Sequence, residues 1–125
     1  MKFGIEHILI LSKDVKALVD WYVNLFDWEI VIDGGPDVYM VKASNGNMIE
    51  FGKTEVDGGK DADNAAGFRH LAICVDDFDA AVAKVRAAGV NGLKDPVVSD
   101  TGLGIMFFED PDGNLVHLVS RPVAL

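Results

Sequence analysis

The chain has 125 residues, half of them hydrophobic and a quarter charged, and its formal net charge is −9 at pH 7. This composition predicts one globular domain of ordinary size and excludes a disordered chain. The excess of acid excludes nucleic acid and anionic membrane surfaces as partners, because phosphate binding needs clustered Lys and Arg. The single cysteine, Cys74, excludes an internal disulfide.

The first seven residues carry charge where a secretion signal would need an uninterrupted apolar run. No stretch of the sequence is long and apolar enough to span a bilayer. We therefore expect a cytoplasmic protein that has no membrane partner and acts on a small molecule.

The first half of the chain is predicted to run strand, helix, strand, strand, strand. Apolar residues follow a helical period after Asp14, which is suited to cap the first turn of the helix. The dipeptide Asn45-Gly46 predicts a tight hairpin between the last two strands. The predicted strands are 3–11, 28–33, 39–43 and 48–52, and the buried stripe of the helix is Val15, Leu18, Val19, Tyr22, Leu25 and Phe26.

The second half is predicted to repeat this order after a polar, glycine-rich linker at about 54–66. A helix runs from about 77 to 88, with Phe78, Ala81, Val82 and Val85 on its buried stripe, and ends at Gly89. The predicted strands are 68–75, a short one near Val97, 105–109 and 115–120. Module 1 is therefore about 1–53 and module 2 about 67–125, within a single domain of 1–125.

The two halves also match residue by residue, which indicates an internal duplication. The segment 46–51 reads Gly-Asn-Met-Ile-Glu-Phe, and 113–118 reads Gly-Asn-Leu-Val-His-Leu, at an offset of 67 residues. Nearer the start of each half, His7-Ile8 matches His70-Leu71 at an offset of 63 residues. The second half has therefore gained four residues between Gly89 and Met106, and we place them in the loop 99–104. The predicted fold is α+β, with two tandem βαβββ modules.

The duplication places four potential metal ligands at two pairs of equivalent positions: His7 with His70, and Glu50 with His117. Burying a carboxylate and three imidazoles without a shared partner costs several kcal/mol each, whereas one divalent cation satisfies all four. Taken singly, each residue is more simply a structural or surface group. The set fits Fe, Mn, Ni, Co or Zn and does not suit Ca or Mg. Because successive strand residues point to opposite faces, we expect the potential ligands on one face of the sheet. Aliphatic and aromatic residues are expected on the other face, which packs against the helices.

The chain resembles the vicinal oxygen chelate superfamily, which includes glyoxalase I, methylmalonyl-CoA epimerase, extradiol dioxygenases and the bleomycin and fosfomycin resistance proteins. The resemblance rests on His7-Ile8-Leu9, Trp21-Tyr22 with Phe26, the run 68–77, and Asp110-Pro111-Asp112-Gly113-Asn114. It implies paired βαβββ modules that form a curved mixed sheet, a cup around one metal ion, with helices on the convex face. Such modules often form homodimers, which the resemblance therefore implies here.

The resemblance to glyoxalase I implies that His7, Glu50 and His70 bind the metal. His117 departs from that pattern, because glyoxalases and extradiol dioxygenases place a glutamate there. The reaction implied is that of a lyase or isomerase, through a metal-stabilised enediolate or enolate of a small carbonyl substrate, with Glu50 and His117 as catalytic residues. An Fe(II)- or Mn(II)-dependent extradiol-type dioxygenase and a non-catalytic resistance protein that binds an antibiotic are the alternatives.

Residues near the four ligands are candidates for substrate binding. Arg121 shares the face of His117 if the last strand continues, and it is suited to bind a substrate carboxylate, although a terminal surface charge is the simpler interpretation. Four apolar residues are candidate pocket walls, and core packing explains them equally well: Met48, Met106, Leu103 and Phe108.

Overall fold

The computed structural model describes residues 1–58 and 64–125. Residues 59–63, which belong to the predicted linker, lie outside the described residues. The chain divides into two compact units, Met1–Gly58 and Gly59–Leu125. In the described ranges, no helix is both long enough and apolar enough to cross a membrane.

Unit 1 is one four-stranded mixed sheet with a helix. Its strands run in the order β1-β4-β3-β2 across the sheet, in which β1 and β4 are parallel and the other neighbours antiparallel. The elements are β1 (His7–Ser12), α1 (Val15–Phe26), β2 (Glu29–Asp33), β3 (Val38–Lys42) and β4 (Met48–Lys53).

Unit 2 repeats this connectivity. The strand order is β5-β8-β7-β6, with β5 and β8 parallel and the other neighbours antiparallel. The prediction of an α+β fold with two tandem βαβββ modules is confirmed. The elements are β5 (Leu71–Cys74), α2 (Phe78–Ala88), β6 (Val97–Val98), β7 (Gly104–Glu109) and β8 (Leu115–Ser120).

The first strand of each unit begins later than the sequence predicted. β1 begins at His7 rather than at residue 3, because its parallel partner β4 starts at Met48, directly opposite His7. No strand of the described residues pairs with the segment before His7, and Phe3 and Ile5 are about nine-tenths exposed. The prediction that the first strands include Phe3, Ile5 and Phe68 is therefore wrong, because apolar residues alone do not form a strand without a pairing partner.

Both helices begin at an aspartate at the predicted position. Asp14 Oδ1 accepts a hydrogen bond from Ala17 N at 3.2 Å, and Asp77 Oδ1 accepts one from Ala80 N at 3.0 Å. Each carboxylate satisfies an amide at the helix N-terminus that has no carbonyl partner within the helix. The buried residues of α1 are those predicted except that Phe26 is half-buried, and in α2 only Val82 and Val85 are buried.

The core of each unit lies between its helix and one face of its sheet. In unit 1 the Tyr22 ring of α1 contacts the Phe51 ring of β4 at 5.3 Å between centroids and stacks on Trp28. Because strand residues alternate between faces, Glu50 and Met48 lie on the face that α1 does not cover. The buried strand residues are Tyr39, Val41, Ile49 and Phe51 in unit 1, and Ile73, Met106, Phe108, Val116 and Leu118 in unit 2.

The four additional residues of the second half lie in the turn between β6 and β7, as predicted. In unit 1, Gly34 N donates to Val38 O at 3.0 Å, whereas in unit 2 Val97 is paired with Ile105. Residues 34 and 97 are equivalent at the offset of 63 residues, and residues 38 and 105 are equivalent at the offset of 67. The four additional residues therefore lie between 97 and 105. The longer turn is closed by hydrogen bonds from Ser99 N to Leu103 O and from Gly102 N to Ser99 O, both 2.9 Å.

The turn that leads into β8 is built on a buried carboxylate. Asp110 is 1% exposed, and its oxygens accept hydrogen bonds from Asp112 N, Asn114 N and Asn114 Nδ2 at 2.8–2.9 Å. The equivalent turn of unit 1 has Ala43 at this place and relies on Asn45 Oδ1, 3.3 Å from Asn47 N. Asp110 therefore fixes the start of the strand that carries His117.

We predict that Asp110→Ala lowers the free energy of unfolding by about 2 kcal/mol, because three donors lose their acceptor while the backbone turn remains possible, as Ala43 shows. Urea titration with a fluorescence readout measures this change. The control is Asp112→Ala in the same turn. Because the side chain of Asp112 is exposed, this variant is expected to change the free energy of unfolding by less than about 0.5 kcal/mol. Equal losses in the two variants would contradict the role given to Asp110.

Candidate metal centre

In unit 1 the structure brings together two of the four predicted ligands. Glu50 is paired with Leu9, two residues after His7, so His7 and Glu50 share the open face of the sheet. His7 Nε2 lies 3.0 Å from Glu50 Oε2, and the two side chains are 33% and 30% exposed. The pair is therefore accessible to an ion or a small molecule.

Unit 2 brings together the other two ligands in the same register. His117 is paired with Ala72, two residues after His70, as Glu50 is with Leu9. The rings of His70 and His117 are 4.4 Å apart between centroids, at an interplanar angle of 81°. In each unit, one potential ligand lies at the start of the first strand: His7 is the first residue of β1, and His70 directly precedes β5. The second potential ligand lies on the parallel neighbouring strand, β4 or β8.

His117 is buried among aromatic and cationic groups. The residue is 6% exposed, and within the described chain neither of its ring nitrogens has a hydrogen-bond partner. The Phe107 ring stacks on it at 4.7 Å between centroids with an interplanar angle of 16°. A buried imidazole with two unsatisfied nitrogens costs free energy unless something else binds it.

The surroundings of His117 also keep it neutral. Burial lowers the pKa of His117 below its ordinary value of 6.5, and the neighbouring His70 and Arg69 lower this pKa further, while the backbone of Leu118 raises it in part. A neutral imidazole retains the lone pair that a metal ion requires.

Two residues of this site were not found by the sequence analysis. Phe107 is the cross-strand partner of His117 in the β7–β8 hairpin, and the Arg69 guanidinium lies 5.3 Å over the Phe107 ring. Arg69 Nη1 is also 3.3 Å from His70 Nδ1. The pairing of the hairpin strands was the available signal, since it puts residue 107 and not its neighbours opposite His117.

The predicted substrate-binding residues lie in different places. Met106 and Phe108 are fully buried on the helix-facing side of the sheet, where they are paired with Leu118 and Val116, so they are core residues rather than neighbours of His117. Met48 is half-buried on the same face as Glu50, and Leu103 is half-buried at the end of the β6–β7 turn. Arg121 is exposed and follows the end of β8.

The separation of the donor atoms in unit 1 is compatible with binding to a transition-metal ion. Two ligands bound at about 2.1 Å to adjacent positions of one octahedral ion are about 3.0 Å apart, and this is the separation of His7 Nε2 from Glu50 Oε2. The unsatisfied nitrogens of His117 point to the same chemistry. No three His, Cys, Asp or Glu side chains of the described residues form a group that would hold a metal ion, so the ligands stand as two pairs.

These features define a class of α+β protein in which two βαβββ units each carry a pair of potential ligands on the uncovered face of the sheet. The family model described as "Glyoxalase/Bleomycin resistance protein/Dioxygenase superfamily" matches residues 4–118. The chain belongs to this superfamily.

Individual relatives are similar over different extents. The chain is 38% identical over 87 residues to a "Probable lactoylglutathione lyase" of Vibrio parahaemolyticus, which is 65% of this chain and 58% of the length of that relative. A glyoxylase/bleomycin resistance protein/dioxygenase domain from Frankia sp. superposes with a TM-score of 0.79 at 20% identity, covering 100% of this chain and 96% of the other. The fosfomycin resistance protein FosX from Listeria monocytogenes superposes with a TM-score of 0.78 at 20% identity, covering 98% and 97%.

We predict that the metal-free protein loses stability as the pH falls below about 6.5, in part through His117. Because the pKa of His117 is lower in the folded than in the unfolded chain, the unfolded chain binds the proton first. The contribution of His117 to the free energy of unfolding is therefore complete above about pH 6.5. It is lost as the pH falls toward the pKa that His117 has in the folded chain. Urea titrations of the wild type and of His117→Leu across this range measure it.

The His117→Leu variant keeps His7 and His70, so the difference between the two proteins isolates His117. The free energy of unfolding of the wild type is expected to fall more steeply with falling pH than that of the variant. Parallel pH dependences would contradict a lowered pKa at His117.

Proposed function

We propose that the chain is a metal-dependent lyase or isomerase that acts on a small carbonyl substrate, with His7, Glu50, His70 and His117 as ligands of one divalent transition-metal ion. The observation that carries the proposal is the repeated register: Glu50 lies opposite Leu9 and His117 opposite Ala72, each two residues beyond a histidine. The same arrangement of two donor side chains in both units is unexpected for unrelated surface or core groups.

The chemistry of the donors supports a transition metal. Three imidazoles and one carboxylate suit Fe, Mn, Ni, Co or Zn, and this ligand set does not choose among these five. When bound, such an ion supplies Lewis-acid polarisation of a substrate carbonyl oxygen. Buried His117, with a lowered pKa and no hydrogen-bond partner in the described chain, is suited to bind an ion rather than a proton.

Glu50 is the residue that we propose transfers the proton. Its side chain is 30% exposed, and its Oε2 lies 3.0 Å from His7 Nε2. Leu9 and Met40 lie opposite it on the two neighbouring strands. A carboxylate in such a place accepts a proton from the carbon beside a carbonyl and returns it to the adjacent carbon. His117 is the second proposed catalytic residue, and it accepts a proton only while its ring is released from the ion.

The curated relative from Vibrio parahaemolyticus supports a lyase. Its printed name is "Probable lactoylglutathione lyase", and the identity of 38% is the highest among the relatives described above. Because this chain spans 58% of the length of that protein, the same activity is a proposal here. The natural first substrate to test is the hemithioacetal formed from methylglyoxal and glutathione.

The assembly and location of the protein remain predictions. We propose a single domain made by the two units, a homodimer as its assembly, and the cytoplasm as its location. None of the described helices spans a membrane, and an acidic chain with a net charge of −9 is suited to solution.

We predict that His70→Ala abolishes stoichiometric metal binding, because the proposed site loses one of its four ligands. The purified wild type and variant are loaded with Ni, Zn, Fe, Mn or Co, passed over a desalting column and analysed for metal by mass spectrometry. The control is Arg86→Ala, an exposed residue of α2. Unchanged stoichiometry in His70→Ala would remove His70 from the site.

We further predict that Glu50→Gln lowers kcat for the hemithioacetal by about a hundredfold or more, since an amide does not accept the proton. Glu29→Gln, which changes an exposed carboxylate of β2, is expected to leave kcat unchanged. Oxygen uptake with a catechol in the iron-loaded protein would favour the dioxygenase instead. Tight binding of an antibiotic without turnover or metal would favour a resistance protein.

A further inference from the structure

Arg69 lies on the open face of the unit 2 sheet, where strand alternation does not predict it. Alternation along an extended chain would turn residue 69 to the helix-facing side, as it does Ile73 in β5. Instead, the Arg69 guanidinium lies 5.3 Å over the ring of Phe107, which is the cross-strand partner of His117. The segment before β5 therefore brings a cation onto the face that carries His70 and His117.

Two differences between the halves produce this arrangement. Unit 1 has Glu6 at the place of Arg69, at the offset of 63 residues, and Met40 at the place of Phe107, at the offset of 67 residues. The register of the antiparallel strands gives the second equivalence independently. Because the two changed residues contact each other in unit 2, they form one feature by which this unit differs from unit 1.

The position of the guanidinium suits an anion beside the candidate site. A guanidinium is attracted to the face of an aromatic ring, and its planar fork of N–H donors matches the two oxygens of a carboxylate. Arg69 Nη1 is 3.3 Å from His70 Nδ1, so the donors lie directly beside the imidazole rings rather than at the margin of the face. A fixed positive charge at this place attracts an anionic group of a bound molecule.

We infer that Arg69, held by Phe107, binds the carboxylate of a substrate, and that the small carbonyl substrate is therefore a 2-oxo acid or a close derivative. As a statement about the substrate, this inference rests on the proposed function. The carboxylate has to lie close to the reacting carbonyl, because Arg69 contacts a residue of the candidate site. A carboxylate monoanion is favoured over a phosphate dianion, since the chain as a whole has a net charge of −9.

Binding is measured in the metal-free protein by titration with pyruvate, followed in ¹H–¹⁵N spectra of the backbone amides. The comparison ligands are pyruvamide, which is the neutral amide of pyruvate, and inorganic phosphate. We expect pyruvate to bind more tightly than either, because it alone presents one negative charge on two coplanar oxygens. The inference is overturned if pyruvate does not bind, if pyruvamide binds as tightly, or if phosphate binds more tightly.

Substitutions assign the binding to a residue. Arg69→Gln is expected to weaken pyruvate binding about tenfold, because it removes a charged donor. Arg69→Lys keeps the charge without the planar fork and is expected to regain only part of that loss. The matched control is Arg86→Gln on the exposed side of α2, which is expected to bind pyruvate as the wild type does. Equal affinities of Arg69→Gln and Arg86→Gln overturn the inference.

Two further variants test the remaining parts of the assignment. Phe107→Leu retains Arg69 but removes the aromatic ring, and it is expected to weaken pyruvate binding severalfold. Unchanged binding in this variant overturns the role of Phe107. Arg121→Gln removes the residue that the sequence predicted to bind a carboxylate, and a loss that equals or exceeds that of Arg69→Gln overturns the assignment to Arg69. Urea titration checks that each variant is folded under the conditions of the binding experiment.

Failure of the inference is distinguishable from failure of the proposed function. A protein that removes a proton from the carbon beside a carbonyl exchanges the methyl protons of pyruvate for deuterium in D₂O, which ¹H NMR follows. If the metal-loaded wild type exchanges these protons and Arg69→Gln has the same KM, the inference falls and the proposed function stands; a raised KM with little change in kcat supports the inference. If no metal-loaded form exchanges them or converts the hemithioacetal, but the metal-free protein binds pyruvate through Arg69, the proposed function falls and the carboxylate site stands.

Discussion

The site depends on one constraint, the register of the parallel ladder between the first and last strands of each unit. Hydrogen bonds fix Leu9 opposite Glu50 and Ala72 opposite His117. A shift of one residue would turn either Glu50 or His117 to the helix-facing side. The burial of Phe51 and Leu118 on that side opposes such a shift, because both side chains would move to the open face. The packing of the core thus holds the potential ligands in place.

The two halves share this frame but differ in how they use it. In unit 1 an accessible imidazole lies between the carboxylates of Glu6 and Glu50. In unit 2 the imidazole of His117 is buried under Phe107, and the nearest cation is Arg69. The His7–Glu50 pair is therefore partly exposed and lies beside a second carboxylate, whereas His117 is buried beside an aromatic ring.

Much of this was predictable from the sequence because alternation and helix capping are local signals. Asp14 was recognisable as a cap, and the equivalence of His7 with His70 and of Glu50 with His117 followed from the duplication. The ends of β1 and β5 were not predictable, since they depend on where the parallel partner strand begins. Phe107 was missed because its apolar neighbours look the same in sequence and only the hairpin register separates them. The contacts of Glu6 and Arg69 depend on side-chain conformation, which periodicity does not determine.

The β6–β7 turn shows where the ancestral unit was free to grow. Since the duplication, the second copy has kept the ladder register, the aspartate caps and the strand order, while this hairpin has become four residues longer. The added residues form their own closed hydrogen-bonded tip, and β6 is a shorter strand than its counterpart β2. The four-residue difference between the two copies thus lies outside the parallel ladders that position the potential ligands.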